Sequence, residues 1–194
     1  MKNLLVIILL LCAVLCKAQT GEKPTMVGDA LQIQFVCKFD GAGKGEILNG
    51  MLNYINDWNS SARDESQDKH SIKKKIKKEY TNIDEGVAIY NGKLFLGCHT
   101  DVAWVYLTEA DFNLSIKAKD GAALITMKVP SIVYWAQNFY HSYPVREVYP
   151  EVTTKKYLYK DKKNLREFGK LAPEKMTEFV NGLKNGARKQ EIDF

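Results

Sequence analysis

The sequence predicts an α+β fold: an antiparallel sheet with helices packed on one face. Three observations lead there. Leu31, Ile33, Phe35, Cys37 and Phe39 alternate with Gln32, Gln34 and Lys38, the period of a strand with one buried side. Ile47, Met51, Tyr54, Ile55 and Trp58 then recur at helical spacing and form one apolar stripe. Further on, "DFNLSIKAKDGAALITMKV" folds on itself about Asp120-Gly121. A two-residue turn there sets Ile116 against Ile125, Leu114 against Met127 and Phe112 against Val129, so all six fall on one face of an antiparallel pair.

The chain has 194 residues and opens MKNLLVIILLLCAVLCKAQT. Lys2, the apolar stretch Leu4 to Leu15 and the small Ala18 have the layout of a signal peptide over residues 1–18, cleaved near Ala18. About 12 apolar residues fall short of the ~20 that span a bilayer, and no later segment is apolar enough to do so. Lipidation at Cys16 is the alternative, although Leu15 stands where such signals carry a small residue. The protein is expected to be exported, to the periplasm or outer surface. Cleavage removes Lys2 and Lys17 and no acid, so 28 basic residues become 26 against 23 acidic ones and +5 becomes +3. That balance is far from the strong basicity of a nucleic-acid domain. The rest suits one domain with a substantial core. Cys37 and Cys98 remain, either as a disulfide in an oxidising compartment or as two buried thiols.

Residues 19–30 are polar with Gly and Pro and read as a leader to a single domain over 31–190. After the first strand, "DGAGKG" at 40–45 matches no phosphate-binding fingerprint, since no Ser or Thr follows Lys44, and reads as a strand-to-helix turn. The helix is expected to stop at Asn59-Ser60-Ser61, with a charged loop over 62–70. "SIKKKIKKEY" packs five lysines between Lys73 and Lys78, and its periodicity fits a strand or a narrow helix. As a strand it sets Ile72, Lys74, Ile76, Lys78 and Tyr80 on one face and Lys73, Lys75 and Lys77 on the other. Asn91-Gly92, between apolar runs, signals a further hairpin. From about residue 134 the chain is rich in aromatics, with Trp135, Tyr140 and Tyr143 among them, and Pro144 and Pro150 suggest short, irregular pieces. A short helix around Leu165 and Phe168 is expected before the last one. Pro173 opens that last helix, with Met176, Phe179, Val180 and Leu183 on one side and Lys184 and Arg188 near its end.

This order, behind an export signal, resembles a family of secreted domains of unknown function from Gram-negative gut-type bacteria. The resemblance rests on "FVCKFDGAGKGEILNGMLNYINDW" and on "DFNLSIKAKDGAALITMKV", and covers about Leu31 to Val133. It implies a fold like one half of the TATA-binding protein (TBP) and a strand over 71–80. It brings no functional residues with it.

The chemistry is sparse. His70, His99 and His141 are the histidines, and no metalloprotease, paired-cysteine or nucleophile-elbow motif is present. In "CHTD" at 98–101, a strand would send Cys98 and His99 to opposite faces, which defeats a nucleophile–base pair. Tidy zinc spacing is missing, so neither a metal nor a cofactor is expected. Glu65, Asp84, Glu85, Glu109, Asp111 and Asp120 could supply a glycosidase pair, but several precede glycines as turn formers. Lys73, Lys75 and Lys77 read as a solvated strand that discourages edge pairing, or as a site for anionic envelope components; nucleic acid is not expected, since no stacking aromatics interleave with them. Trp135, Tyr140 and Tyr143 either pack the C-terminal segment down or form a sugar- or protein-contact surface. The best reading is a non-enzymatic binding or adaptor module whose partner is an envelope protein, a glycan or an anionic polymer. A hydrolase of glycan or cell-wall material, or a structural envelope protein, is the alternative.

Overall fold

The computed structural model describes residues 23–64, 76–101, 104–136, 139–148 and 167–189. They form one seven-stranded sheet and two long helices. The strands are β1 (Thr25–Val27), β2 (Ala30–Lys38), β3 (Lys77–Asn82), β4 (Val87–Asp101), β5 (Trp104–Lys119), β6 (Ala122–Ala136) and β7 (Phe139–Pro144). The helices are α1 (Lys44–Asp64) and α2 (Ala172–Lys189), and a 3-10 turn occupies Val145–Glu147. The sheet order is β1-β2-β6-β5-β4-β3, antiparallel throughout. β6 carries β2 along Ala122–Val129 and β7 along Ser131–Ala136, with β5 on its other side.

The alternation in the sequence sets the core. Ile33, Phe35, Leu114, Ile116, Ile125 and Met127 are buried together with Ile47, Leu48, Met51 and Ile55 of α1 and Met176, Phe179, Val180 and Leu183 of α2. Both helices therefore lie on one face of the sheet, as expected. Residues 25–30, read from sequence as leader, already contribute β1 and the first residue of β2.

Three bulges depart from simple alternation. In β3, Lys78 pairs with Tyr90 but Tyr80 with Ile89, so Glu79 is the extra residue and Tyr80 turns to the helix-free face. In β4 the register shifts between Phe95 and Gly97, so that Leu96 is the extra residue, buried in the core beside Leu94, and beyond it Gly97 and His99 take the core side. In β6, Val129 and Pro130 together face Phe112; Pro130 has no N–H to give to the ladder, so a bulge suits it. The Ile116–Ile125 and Leu114–Met127 pairs stand as the sequence predicts, whereas Phe112 and Val129 share the core without being a direct pair.

Other expectations are corrected. Asn91-Gly92 is not a turn: β4 runs straight through it, pairing Asn91 with Lys77 on one side and Asn113 on the other. The glycine is needed because a Cβ there would lie 2.6 Å from Phe112 Cζ. The real β3–β4 turn is Ile83–Gly86, closed by Gly86 N–H donating to the Ile83 carbonyl. Helix α1 continues past Asn59 because that side chain does not cap it; it holds the Ile76 backbone, accepting from its N–H at 3.1 Å and donating to its carbonyl at 3.3 Å. Of the segment 131–159, expected to be irregular or made of short pieces, Ser131–Ala136 continue β6 and Phe139–Pro144 form the short β7 paired with it, while 149–159 lie outside the described residues. The strand reading of the lysine run holds from Lys77 onward, and Lys73 and Lys75 lie outside the described residues.

The start of α1 is capped from a distant turn. Lys44 N–H donates to Asp120 Oδ1 at 2.9 Å, and Gly43 N–H donates to Glu46 Oε2 at 2.8 Å, as in half of a capping box. The Lys44 ammonium also donates to the Asp84 carbonyl. Asp120→Ala is expected to lose about 0.5–2 kcal/mol, read as a lower urea midpoint at unchanged slope, with Asp120→Asn close to wild type. An unchanged midpoint in the alanine variant would remove the cap from the account.

Candidate functional site

The helix-free face of the sheet carries the one broad arrangement of functional side chains among the described residues. Residues that pair across strands share a face, so register assembles it row by row. One row is Asn82, Val87, Lys117, Leu124 and Val36; the next is Tyr80, Ile89, Ser115, Thr126 and Gln34. A third is Lys77, Asn91, Asn113, Lys128 and Gln32. The charges at row positions are Lys77, Lys117 and Lys128, all exposed, and no acid occupies a row position, although Glu85 of the β3–β4 turn accepts from the Tyr80 hydroxyl at 2.9 Å. Between them lie amides and hydroxyls, with Val36, Tyr80 and Ile89 exposed as apolar surface. Strand spacing of ~4.8 Å places Lys77 and Lys128 roughly 14 Å apart, three strands from each other.

Beyond these rows the face changes character. Lys93 Nζ lies 3.5 Å from Glu109 Oε2 and 3.4 Å from Asp111 Oδ1. Ser131 donates to Asp111 Oδ2 at 3.0 Å. Glu109 is only 2% exposed, and Leu107 and Val133 are buried on this side too, apart from the main core. The Tyr140 ring reaches across from β7, its centroid 5.4 Å from Lys93 Nζ, a cation–π contact. Burial works against the charge of Lys93, but Asp111, Glu109 and Tyr140 together more than offset it and hold its pKa above the usual lysine value. Lys93 is a fixed cation between two carboxylates.

The residues singled out from sequence separate. Lys77 stands on β3, the edge strand, and joins the open face. Tyr140 is 61% exposed on the open side, whereas Tyr143 is half-buried against the core, because an odd spacing along a strand reverses the face. Trp135 pairs with Leu107 and Tyr140 through its backbone, and its side chain lies outside the described set. Of the two readings of the cysteines, a disulfide or two buried thiols, the geometry does not bring the pair together, and no bond joins Cys37 and Cys98. Cys37 is level with Ala118 of β5 by way of Ala123, and Cys98 pairs with Leu107. Eleven residues of strand, roughly 36 Å, separate those levels, against the under 7 Å that a disulfide needs. Cys37 is buried as expected, but Cys98 is exposed.

His99 faces the opposite way from Cys98. Its ring stacks on Tyr106 at 4.8 Å and on Tyr134 at 5.7 Å, and the Tyr134 hydroxyl sits 3.2 Å from Nε2. Nucleophile and base are thus held on opposite sides of β4. The convergent carboxylates Glu109 and Asp111 were legible only as members of a long list; their spacing of two on one strand, opposite Lys93 on the next, was the available signal. A separate cleft of about 530 Å³ runs between Lys23-Pro24 and the first turns of α2. Its acids, Glu174 and Glu178, are one helical turn apart, and Glu178 accepts from Lys175 at 2.7 Å.

No family model matches the chain, and no curated protein does. Among the solved structures that share its architecture are two bacterial proteins. A DUF4468 family protein from Bacteroides ovatus is 14% identical with a TM-score of 0.52, over 90% of this chain and 93% of that one. A TBP-like protein from Parabacteroides distasonis is 16% identical with a TM-score of 0.51, over 84% and 97%. The chain has a TBP-like α+β fold. At these identities the likeness is one of fold and assigns no activity.

Proposed function

We propose that this protein is an exported, non-enzymatic binding module of the cell envelope, and that the helix-free sheet face holds an extended anionic polymer. The observation that carries the reading is the set of three rows in which Lys77, Lys117 and Lys128 stand among Gln32, Gln34, Asn91, Asn113, Ser115 and Thr126 with no acid. Lysines spread over several strands suit a repeating charge on a long ligand better than a single compact anion. Amides and hydroxyls between them supply the hydrogen bonds that position such a chain. The signal-type run at Leu4 to Leu15 supports the envelope location.

The enzyme reading finds less support. Glu109 and Asp111 converge, but on Lys93, which engages both in ion pairs, and Tyr140 lies over that lysine.

The purified protein should bind polygalacturonate, with affinity falling as salt rises, because exposed charges are screened. The Lys117→Ala/Lys128→Ala double variant should bind on the order of tenfold more weakly, since exposed charge pairs contribute up to about 1 kcal/mol each. Lys175→Ala, on α2 and away from the face, serves as the control. Wild-type affinity in the double variant, or equal loss in the control, would sink the proposal.

A further inference from the structure

We infer that Tyr140 is a sugar-stacking platform on the same sheet face, beyond the lysine rows, so that the polymer bound there is an acidic polysaccharide rather than a polyphosphate or a nucleic acid. The inference rests on the open-face reading above and narrows its ligand class. Tyr140 is the most exposed of the large hydrophobic side chains described, at 61%, and its ring carries a cation contact. Ser131 fixes Asp111, Asp111 and Glu109 fix Lys93, and the Lys93 ammonium lies 5.4 Å from the ring centroid. A tyrosine backed by a cation and open in front loses little side-chain entropy when a ligand arrives. The ring lies on the same face but further along it: Tyr140 is level with Leu107 of β5 by way of Trp135, six residues or roughly 20 Å of strand from Asn113 in the third row, so only an extended chain can touch both.

The chemistry of such a platform discriminates among anions. An aromatic face is electron-rich and attracts the weakly positive C–H groups on the flat side of a pyranose ring. A polyphosphate has no such side and would gain only from the lysines. A single-stranded nucleic acid could stack a base on the ring, which makes it the necessary comparison.

The test titrates wild type, Tyr140→Ala, Tyr140→Trp and the Lys117→Ala/Lys128→Ala variant with polygalacturonate, polyphosphate and oligo-dT, after checking by circular dichroism that each is folded. Tyr140→Ala should weaken polygalacturonate binding roughly three- to tenfold and leave polyphosphate unchanged, and Tyr140→Trp should restore it. If the lysine variant loses affinity for every polymer while Tyr140→Ala changes none, or changes only oligo-dT, the platform is wrong and the open-face reading survives. If the lysine variant binds as wild type does, or wild type binds none of the three, the open-face reading and the platform fall together.

Discussion

Replacing Phe179 by alanine is expected to lose roughly 3–5 kcal/mol of stability, the range for deleting a large aromatic from a packed core. Phe179 is the point where three elements meet. Its ring lies 5.7 Å from Tyr54 and 5.3 Å from Trp58 on α1, and 5.4 Å from Phe112 on β5. Truncation therefore removes burial and three aromatic pairs at once. α2, which relies on that side for its docking, should loosen first. Phe179→Leu keeps much of the volume and should fall between. Denaturant melts decide the matter: a loss under about 1 kcal/mol would show that α2 is anchored elsewhere, since cavity formation alone should exceed that.

Gly50→Ala is the second large effect, and its sign depends on two opposing magnitudes. In an exposed helix, alanine would gain about 1 kcal/mol over glycine. Here a Cβ on Gly50 would lie 2.6 Å from Ala187 Cα and 2.7 Å from the Gly186 carbonyl oxygen. Both are backbone atoms, so no side chain can swing away and the helices must part. Overpacking of this kind costs about 1–3 kcal/mol, and moving backbone belongs at the upper end, so the clash outweighs the propensity. Gly186 faces the same contact, its own Cβ position lying 2.7 Å from the Gly50 carbonyl oxygen. The Gly50→Ala/Gly186→Ala double variant should therefore cost less than the two single losses added, because the helices have already separated. A stabilised Gly50→Ala would mean that α1 and α2 pack more loosely than described.

What could be read from sequence divides along a physical line. Leu31 to Phe39, Ile47 to Trp58 and Met176 to Leu183 were legible because each presents one clean period to one core. The Asp120-Gly121 hairpin was legible because its turn chemistry and its apolar pairing agree. Asn91-Gly92 misled because the same dipeptide serves a turn or a close approach, and only the distant Phe112 distinguishes them. Bulges hid the face of Tyr80 and of everything in β4 beyond Phe95, since one inserted residue reverses the alternation without any local mark. The open face was only partly visible: Lys77 drew attention through its run, but Lys117 and Lys128 are isolated in sequence and come together with it only through register. Tyr140 and Tyr143 looked alike until the strand gave them opposite sides.

The lysines of β3 also have a plain physical effect, whatever they bind. β3 ends the sheet order, and an edge strand with Lys77 and Lys78 exposed resists pairing with a second sheet.

The position of β2 bears on how the chain is made. Its first long strand pairs with β6, from Leu31 opposite Val129 to Lys38 opposite Ala122, some eighty residues or more downstream. During synthesis β2 has no long strand to join until β6 has emerged, whereas α1, whose Ile47, Leu48 and Met51 share a core with Ile33, Phe35 and Cys37, follows it directly. The meander β4–β5–β6, built from neighbours in sequence, can close without it. The first long strand therefore waits until most of the sheet has been made before its ladder with β6 can form.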